Sequence, residues 1–125
     1  MDLILKYFPD LKPSQISRFE TLLSTLPELN KKVNVISRKD IDHLFERHIV
    51  HSLAVNKMVQ FETSCQILDV GTGGGFPGIP LAIVCPRTNF TLIDGTGKKI
   101  QVVNEIISEL DLRNARGIQI RAEDH

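Results

Sequence analysis

Apolar residues recur every three or four positions in the first half of the chain, which is the period of one face of an α-helix. The longest such stripe follows Pro13, and its members are Ile16, Phe19, Leu22, Leu23 and Leu26. Proline suits the first turn of a helix but lacks the N–H that an interior position needs. We therefore expect a helix that begins near Pro13 and breaks or kinks at Pro27.

A second helical stripe comes after a polar, basic connector at residues 31–39. Asp40 is a good N-cap residue, and it is followed by apolar positions that face one side, namely Ile41, Leu44, Phe45 and Ile49. These patterns predict that residues 1–60 form a helical N-terminal region.

Short apolar runs alternate with helical stripes from residue 66 onward. The runs at residues 66–70, 89–93 and 117–121 have the length of buried strands, whereas residues 76–84 and 100–110 have helical character. Strands that alternate with helices in this way form parallel sheets. Residues 61–125 are therefore expected to form β-α-β-α-β, the opening half of a doubly wound α/β domain, packed with the helical region as one unit.

Composition places the 125-residue chain among globular proteins, because 42% of its residues are hydrophobic and 24% are charged. Lys+Arg and Asp+Glu both number 15. A domain held on nucleic acid mainly through phosphates usually has a basic excess, so such contacts would need a local patch. No apolar run approaches the ~20 residues that span a bilayer, and no secretory signal is evident. We expect a cytoplasmic protein without membrane association.

The cysteines and histidines do not form a metal-binding pattern. Cys65 and Cys85 lie among apolar residues, so we expect buried thiols. His43, His48 and His51 fall on one predicted helix, but zinc usually takes more ligands at firmer spacing. We therefore expect these histidines to pack or to donate and accept hydrogen bonds, with no metal bound.

A glycine-rich segment, residues 71–75, connects the first predicted strand to the next helix. Glycine at this point lets a backbone approach a ligand closely and exposes N–H groups at the start of a helix. The spacing Gly73-x-Gly75-x-x-Gly78 also fits a dinucleotide-binding fingerprint. Taken alone, the segment leaves two alternatives open, a nicotinamide-dependent oxidoreductase and a simple turn with helix caps.

Two acidic residues beside the glycine segment narrow the choice of ligand. Asp69 comes just before the segment and would repel a pyrophosphate, whereas S-adenosylmethionine (SAM) has no phosphate and carries a sulfonium and an ammonium. Asp94 ends the second strand, where an acid can accept hydrogen bonds from ribose hydroxyls. Glu123 follows the third strand, where the adenine edge would lie. The residues therefore favour SAM over NAD.

The segment Ile67–Ile83 resembles the signature of the RsmG (GidB) family of bacterial guanine-N7 ribosomal RNA methyltransferases, in which the continuation Phe76-Pro77-Gly78-Ile79-Pro80 is unusual among methyltransferases. Further matches lie at residues 90–94, 97–100 and 121–123, and upstream at Asn30, Asn34, residues 47–48 and residues 52–53. The resemblance spans nearly the whole chain in the right order.

The resemblance implies a Rossmann-like class I SAM methyltransferase fold, here with the first half of its sheet, and methyl transfer from SAM to N7 of a guanine in 16S ribosomal RNA. It places Gly71, Phe76, Ala122 and Glu123 against the cofactor and Asp94 near its ribose. With the residues of the glycine segment, the candidate cofactor-binding set is Asp69, Gly71, Thr72, Gly73, Gly75, Phe76, Asp94, Ala122 and Glu123. The candidate RNA contacts are Lys31, Lys32, Arg38, Arg47 and His48. No residue is assigned as catalytic.

Three departures from the family pattern set further expectations. Gly95 replaces a usual serine, which should loosen that loop, and Leu29 replaces a frequent tryptophan. The sequence ends at His125, before the fourth strand that flanks the first one in the family. The first strand should then be an open sheet edge, which favours a homo-oligomer that covers it. The alternative function is a catalytically inactive SAM-binding or interaction fragment.

Overall fold

The computed structural model describes residues 2–37, 42–58 and 65–121. Within them, the helices are α1 (Asp2–Tyr7), α2 (Pro13–Asn30), a π-helical segment (Phe45–Val50), α3 (His51–Met58), α4 (Gly78–Val84) and α5 (Gly97–Glu109). The strands are β1 (Gln66–Val70), β2 (Asn89–Asp94) and β3 (Ala115–Gln119). The second helical stripe is thus π-helical before it becomes α-helical, while its expected start at Asp40 and Ile41 lies outside the described residues.

The three strands form one parallel sheet in the order β1-β2-β3. Ile67 pairs with Phe90, and Phe90 pairs with Ala115, so the strands lie side by side in register. This confirms the predicted β-α-β-α-β arrangement. The predicted bounds of the third strand were wrong by two residues, because the ladder already begins where Phe90 N donates to Asn114 O at 2.7 Å. Gly117, a poor strand former in isolation, is held by pairing with Leu92 of β2.

Helix α2 does not break at Pro27 but continues to Asn30, so the expected break was wrong, while the alternative of a kink stays a prediction. Pro27 removes one backbone hydrogen bond a single turn before the helix ends. On its two sides, Leu26 is fully buried and Asn30 is 8% exposed. The anchoring of this last turn in the core outweighs the lost bond.

The helical region and the sheet region share one hydrophobic core, to which Phe19 and Leu22 of α2 contribute fully buried side chains. Polar contacts join the same elements. Gln15 Nε2 donates to Ile83 O of α4 at 2.9 Å, and Arg18 Nε donates to Leu110 O, at the end of α5, at 2.8 Å. Helix α2 therefore lies against both helices that connect the strands.

Strand β1 lies at one edge of the sheet, with Leu68 46% and Val70 54% exposed. The expected open edge is therefore present in the part of the chain that the structure describes. The two cysteines are only partly buried, unlike the prediction. Cys65 precedes this edge strand, and Cys85 lies at the end of α4, where its Sγ contacts Asn56 Oδ1 at 3.4 Å. Burial nevertheless raises the pKa of the Cys85 thiol.

Candidate functional site

The glycine-rich loop is tied to the carboxyl ends of β1 and β2. The backbone N–H groups of Gly71 and Thr72 both donate to Ile93 O, at 2.9 and 3.0 Å. A third bond closes the loop itself, from Gly75 N to Thr72 O at 3.0 Å. In open parallel sheets, ligands bind at the carboxyl ends of the strands, so the loop lies at the end of the sheet where such a site is expected.

Open space lies beside two glycines of this loop. Among the described residues, a Cβ atom built on Gly71 would meet no atom within 4 Å, and one on Gly73 would meet only Val35 O at 3.9 Å. Both residues have a positive φ, 70° and 58°, which residues with side chains rarely adopt. The backbone is thus held in a conformation that leaves an uncovered strip, and a ligand such as SAM fits this arrangement.

The side chain of Asp69 faces inward and accepts hydrogen bonds from the glycine loop and from the start of α4. Its Oδ2 accepts hydrogen bonds from Thr72 Oγ1 at 2.8 Å and from Gly78 N at 3.1 Å. Gly78 in turn lies so close to β2 that a Cβ there would be 2.8 Å from Leu92 Cδ2. Burial raises the pKa of Asp69, although these two hydrogen bonds act in the opposite direction. This carboxylate therefore fixes the shape of the turn.

The side chain of Asp94 accepts hydrogen bonds from the glycine loop and from the segment that follows β2. Its Oδ2 accepts from Gly73 N at 3.1 Å, and its Oδ1 accepts from Thr96 N at 2.9 Å. Partial burial raises the pKa of Asp94, but the hydrogen bonds from Thr96 and Gly73 and the charge of Lys99 outweigh it, so that the pKa is lowered. Asp94 is held ionised beside the uncovered strip of the glycine loop.

Among the remaining predicted cofactor residues, the structure describes Thr72 and Phe76. Thr72 is 3% exposed and turns its hydroxyl toward Asp69. Phe76 is partly buried, and its ring centroid lies 5.4 Å from that of His48. Ala122 and Glu123 lie outside the described residues. The structure thus brings together the residues from Asp69 to Phe76 with Asp94, and leaves the adenine end undescribed.

The predicted RNA contacts do not share one environment. Lys31 pairs with Glu28, Nζ to Oε1 at 3.1 Å, and both side chains are at least 70% exposed. Lys32 is exposed, whereas His48 is partly buried against Phe76. Arg38 and the side chain of Arg47 lie outside the described part of the chain. Among the described candidates, Lys31 and Lys32 carry the exposed positive charges.

Two features of the site were missed in the sequence. The segment of residues 33–36 packs on the glycine loop, since a Cβ on Gly74 would lie 3.2 Å from Val35 Cγ2 and 3.3 Å from Ile36 Cγ1. The second feature is the close approach of Arg121 to Gly95, since a Cβ there would lie 3.2 Å from Arg121 Cγ. The available signal for the packing of residues 33–36 was Asn30, a polar residue at the end of the apolar stripe of α2.

The described residues contain neither a helix that could span a membrane nor a group of metal ligands. Within residues 2–37, 42–58 and 65–121, no helix has the length and apolar character needed to cross a membrane. In the same ranges, no three His, Cys, Asp or Glu residues are grouped as metal ligands.

Two solved structures with the same architecture are named as methyltransferases. Coclaurine N-methyltransferase, crystallised with N-methylheliamine and SAH, aligns with a TM-score of 0.60 at 14% identity over 97% of this chain and 43% of that one. A SAM-dependent methyltransferase from Aquifex aeolicus aligns with a TM-score of 0.53 at 21% identity, over 79% and 47%. At these identities the likeness establishes the fold, which is that of the class I SAM-dependent methyltransferases.

Sequence comparison identifies the family within this class. The model of the GidB family, rRNA small subunit methyltransferase G, matches residues 15–125. Ribosomal RNA small subunit methyltransferase G of Flavobacterium psychrophilum is 55% identical over 124 residues, and that of Cytophaga hutchinsonii is 52% identical over 124 residues. The chain therefore belongs to the rRNA small subunit methyltransferase G family. In both comparisons the match covers 99% of this chain, but it covers only 59% and 60% of the length of the two relatives.

Proposed function

We propose that this protein transfers the methyl group of SAM to N7 of a guanine in 16S ribosomal RNA. The observation that carries the proposal is the pairing of Asp94 with the glycine loop, in which Gly73 N donates to Asp94 Oδ2 at 3.1 Å beside an uncovered strip of backbone. Family membership supports the ribosomal RNA substrate. Such a substrate would place the reaction in the cytoplasm.

The described residues would hold the cofactor in complementary ways. The backbone of Gly71 and Gly73 would lie along it, because a Cβ atom at either position would have no described atom closer than 3.9 Å. Asp94 would accept hydrogen bonds from the ribose hydroxyls. Thr72, Gly75 and Phe76 would shape the loop, and Asp69 would keep it in place. Ala122 and Glu123 remain predicted contacts of the adenine.

The chemistry needs few catalytic groups from the protein. Bound SAM supplies an activated methyl group, which leaves its sulfonium as the neutral thioether SAH is formed. Guanine N7 offers a lone pair at neutral pH and becomes the cationic N7-methyl product, so no general base is required. Holding the two reactants in line can supply much of the rate, which agrees with a site built from backbone and two carboxylates.

The RNA would approach over the basic face of the helical region. Lys31 and Lys32 are exposed at the end of α2, and Lys31 forms only a solvated ion pair with Glu28. Surface pairs of this kind are worth little and can exchange partners for a phosphate. Arg38 and Arg47 stay predicted members of this face, and His48 would act through its packing on Phe76.

A cofactor panel tests the proposal. SAM and SAH should each raise the melting temperature of the chain and bind by calorimetry, whereas NAD should do neither, because the loop offers an acidic flank and no phosphate clamp. Incorporation of labelled methyl at guanine N7 of unmodified 16S RNA then tests the transfer itself. Stabilisation by NAD alone would overturn the methyltransferase assignment. Binding of SAH without methyl transfer by this chain would favour the alternative of a cofactor-binding fragment.

We also propose that a second copy of the chain covers the edge of β1. Leu68 and Val70 expose about half of their surface on a strand that pairs with β2 alone among the described residues. Open edges and uncovered apolar faces recruit other chains. Light scattering should report a dimer or higher oligomer that Val70→Lys dissociates, whereas Tyr7→Lys, at an equally exposed apolar residue of α1, should not. A monomeric wild-type chain would contradict this proposal.

A further inference from the structure

Asn30, the last residue of α2, is a buried amide with a full set of hydrogen bonds. Its Oδ1 accepts from Val35 N and Ile36 N, both at 2.9 Å, and its Nδ2 donates to Ile36 O at 2.9 Å. Nδ2 also lies 3.4 Å from Asn34 Oδ1. The side chain is 8% exposed. One residue therefore fixes the backbone of the segment that follows the helix.

That segment, residues 33–36, forms a wall behind the glycine loop. The side chains of Val35 and Ile36 lie close behind Gly74, and Val35 O faces Gly73. Ile36 is 5% exposed, so its side chain is buried in this contact. At Gly71, by contrast, a Cβ atom would meet no atom of the described residues within 4 Å. The wall and the site thus lie on different sides of the same few residues.

Glycine-rich loops need such a restraint. Glycine loses more conformational freedom on folding than any other residue, and Gly71, Gly73 and Gly75 all adopt positive φ. Hydrogen bonds to Ile93 and Asp94 hold the loop from the sheet side. Van der Waals contact with Val35 and Ile36 holds it from the helical side.

We propose that Asn30 is a positioning residue for the cofactor loop: by fixing residues 33–36, it holds Gly73 and Gly74 in the conformation that receives SAM. The proposal rests on the function proposed above. It means that the helical N-terminal region builds part of the cofactor site, in addition to any contact it makes with RNA. The exposed Lys31 and Lys32 lie in the sequence between Asn30 and residues 33–36, so the proposal also links these two lysines to the loop.

The test uses two variants and a matched control. Asn30→Leu keeps the volume and removes every hydrogen bond, whereas Asn30→Asp keeps an acceptor for Val35 N and Ile36 N. Arg18→Met is the control, because Arg18 also ties the backbone of a distant segment, Leu110 O at 2.8 Å and Asp111 O at 3.3 Å. Amide hydrogen exchange is measured without ligand, at Gly73 and Gly75 and at residues 110–112, and SAH affinity is measured by calorimetry.

The expected result is selective. Asn30→Leu should speed exchange at Gly73 and Gly75 and leave residues 110–112 protected, while Arg18→Met should do the reverse. SAH should bind Asn30→Leu weaker by on the order of tenfold, the usual effect of removing a group that orients a binding element. Asn30→Asp should restore part of the affinity, and Arg18→Met should bind as the wild type does.

Two outcomes would overturn the proposal. Unchanged exchange at Gly73 and Gly75 in a folded Asn30→Leu protein, or equally fast exchange in Asn30→Leu and Asn30→Asp, would show that the hydrogen bonds of Asn30 to residues 33–36 do not hold the loop. Faster exchange with unchanged SAH affinity would show that the held conformation is irrelevant to the cofactor. Failure of the wild-type chain to bind SAH would instead sink the proposed function, and the exchange data would still decide whether Asn30 restrains the loop.

Discussion

The ends of β1 and β2 each carry an aspartate, yet the two carboxylates are placed in opposite ways. Asp69 at β1 faces inward, and the same oxygen accepts from Thr72 and Gly78. Asp94 at β2 faces the loop opening, and each of its oxygens accepts one backbone N–H. The pKa of Asp69 is raised by burial, while the pKa of Asp94 is lowered by its hydrogen bonds and Lys99.

This difference shows that two acids of one motif can have separate tasks. A partly buried acid that accepts from the start of a helix and from a threonine hydroxyl fixes a turn. An acid that stays ionised at the rim of an open strip can accept hydrogen bonds from a ligand. Asp69 therefore belongs to the framework of the site, and Asp94 to its binding surface.

Gly73→Val should have the largest effect on the binding surface. A valine would add a side chain to the loop that is proposed to contact the cofactor, with its Cβ 3.9 Å from Val35 O, and it would adopt φ of 58° with strain of about 2 kcal/mol. SAH affinity should fall by more than about 3 kcal/mol, beyond the upper range for one lost charged hydrogen bond. Calorimetry measures the affinity, and thermal unfolding checks that the variant folds. Unchanged SAH affinity would place the cofactor elsewhere.

Asp94→Ala should have the next largest effect, again on binding. It removes the proposed ribose acceptor and should weaken SAH binding by about 1.5–3 kcal/mol, the range for a hydrogen bond to a charged group. Glu105→Ala, at an exposed acid on α5, is the matched control and should bind normally. Equal affinities in the two variants would remove Asp94 from the binding surface.

The strands and helices were largely predictable from the sequence, because they depend on the local periodicity of apolar residues. The bounds of β1 were predicted correctly, and those of β2 to within one residue, since their apolar runs are short and bounded by glycine or polar residues. The stripe on α2 also holds, with Phe19, Leu22 and Leu26 fully buried. Each of these patterns reports a face that must be buried, whatever covers it.

Contacts between distant segments were not predictable in the same way. Nothing in residues 31–36 signals that Val35 and Ile36 pack on a loop about forty positions later, because the contact depends on how α2 lies against the sheet region. The continuation of α2 through Pro27 and the early start of β3 have the same origin, a tertiary contact that overrides local preference. Likewise, the sequence placed Asp69 and Asp94 beside the glycine segment, and only the fold shows that Asp69 faces inward.

Substitutions at Asp69 should affect stability and separate its charge from its hydrogen bonds. Asp69→Asn retains an oxygen that can accept from Thr72 Oγ1 and Gly78 N, so the free energy of unfolding near pH 7 should change by less than about 1 kcal/mol. Asp69→Ala leaves both donors without this acceptor and should cost about 1–3 kcal/mol. Urea unfolding measures both. A loss in Asp69→Asn as large as in Asp69→Ala would show that the charge itself is needed.

The smallest expected effect is on the pH dependence of stability, where the two acids should act with opposite sign. The raised pKa of Asp69 means that the folded state binds more protons than the unfolded state from pH 3.8 up to the folded pKa, so its contribution to stability falls as pH rises through that interval. The lowered pKa of Asp94 gives a contribution that is present above pH 3.8 and lost as pH falls through the folded pKa. Relative to wild type, Asp69→Asn should therefore gain stability on going from pH 3 to pH 7, and Asp94→Asn should lose it. Urea unfolding across this range gives both differences, and slopes of the same sign would show that the two carboxylates do not differ in environment as their hydrogen bonds indicate.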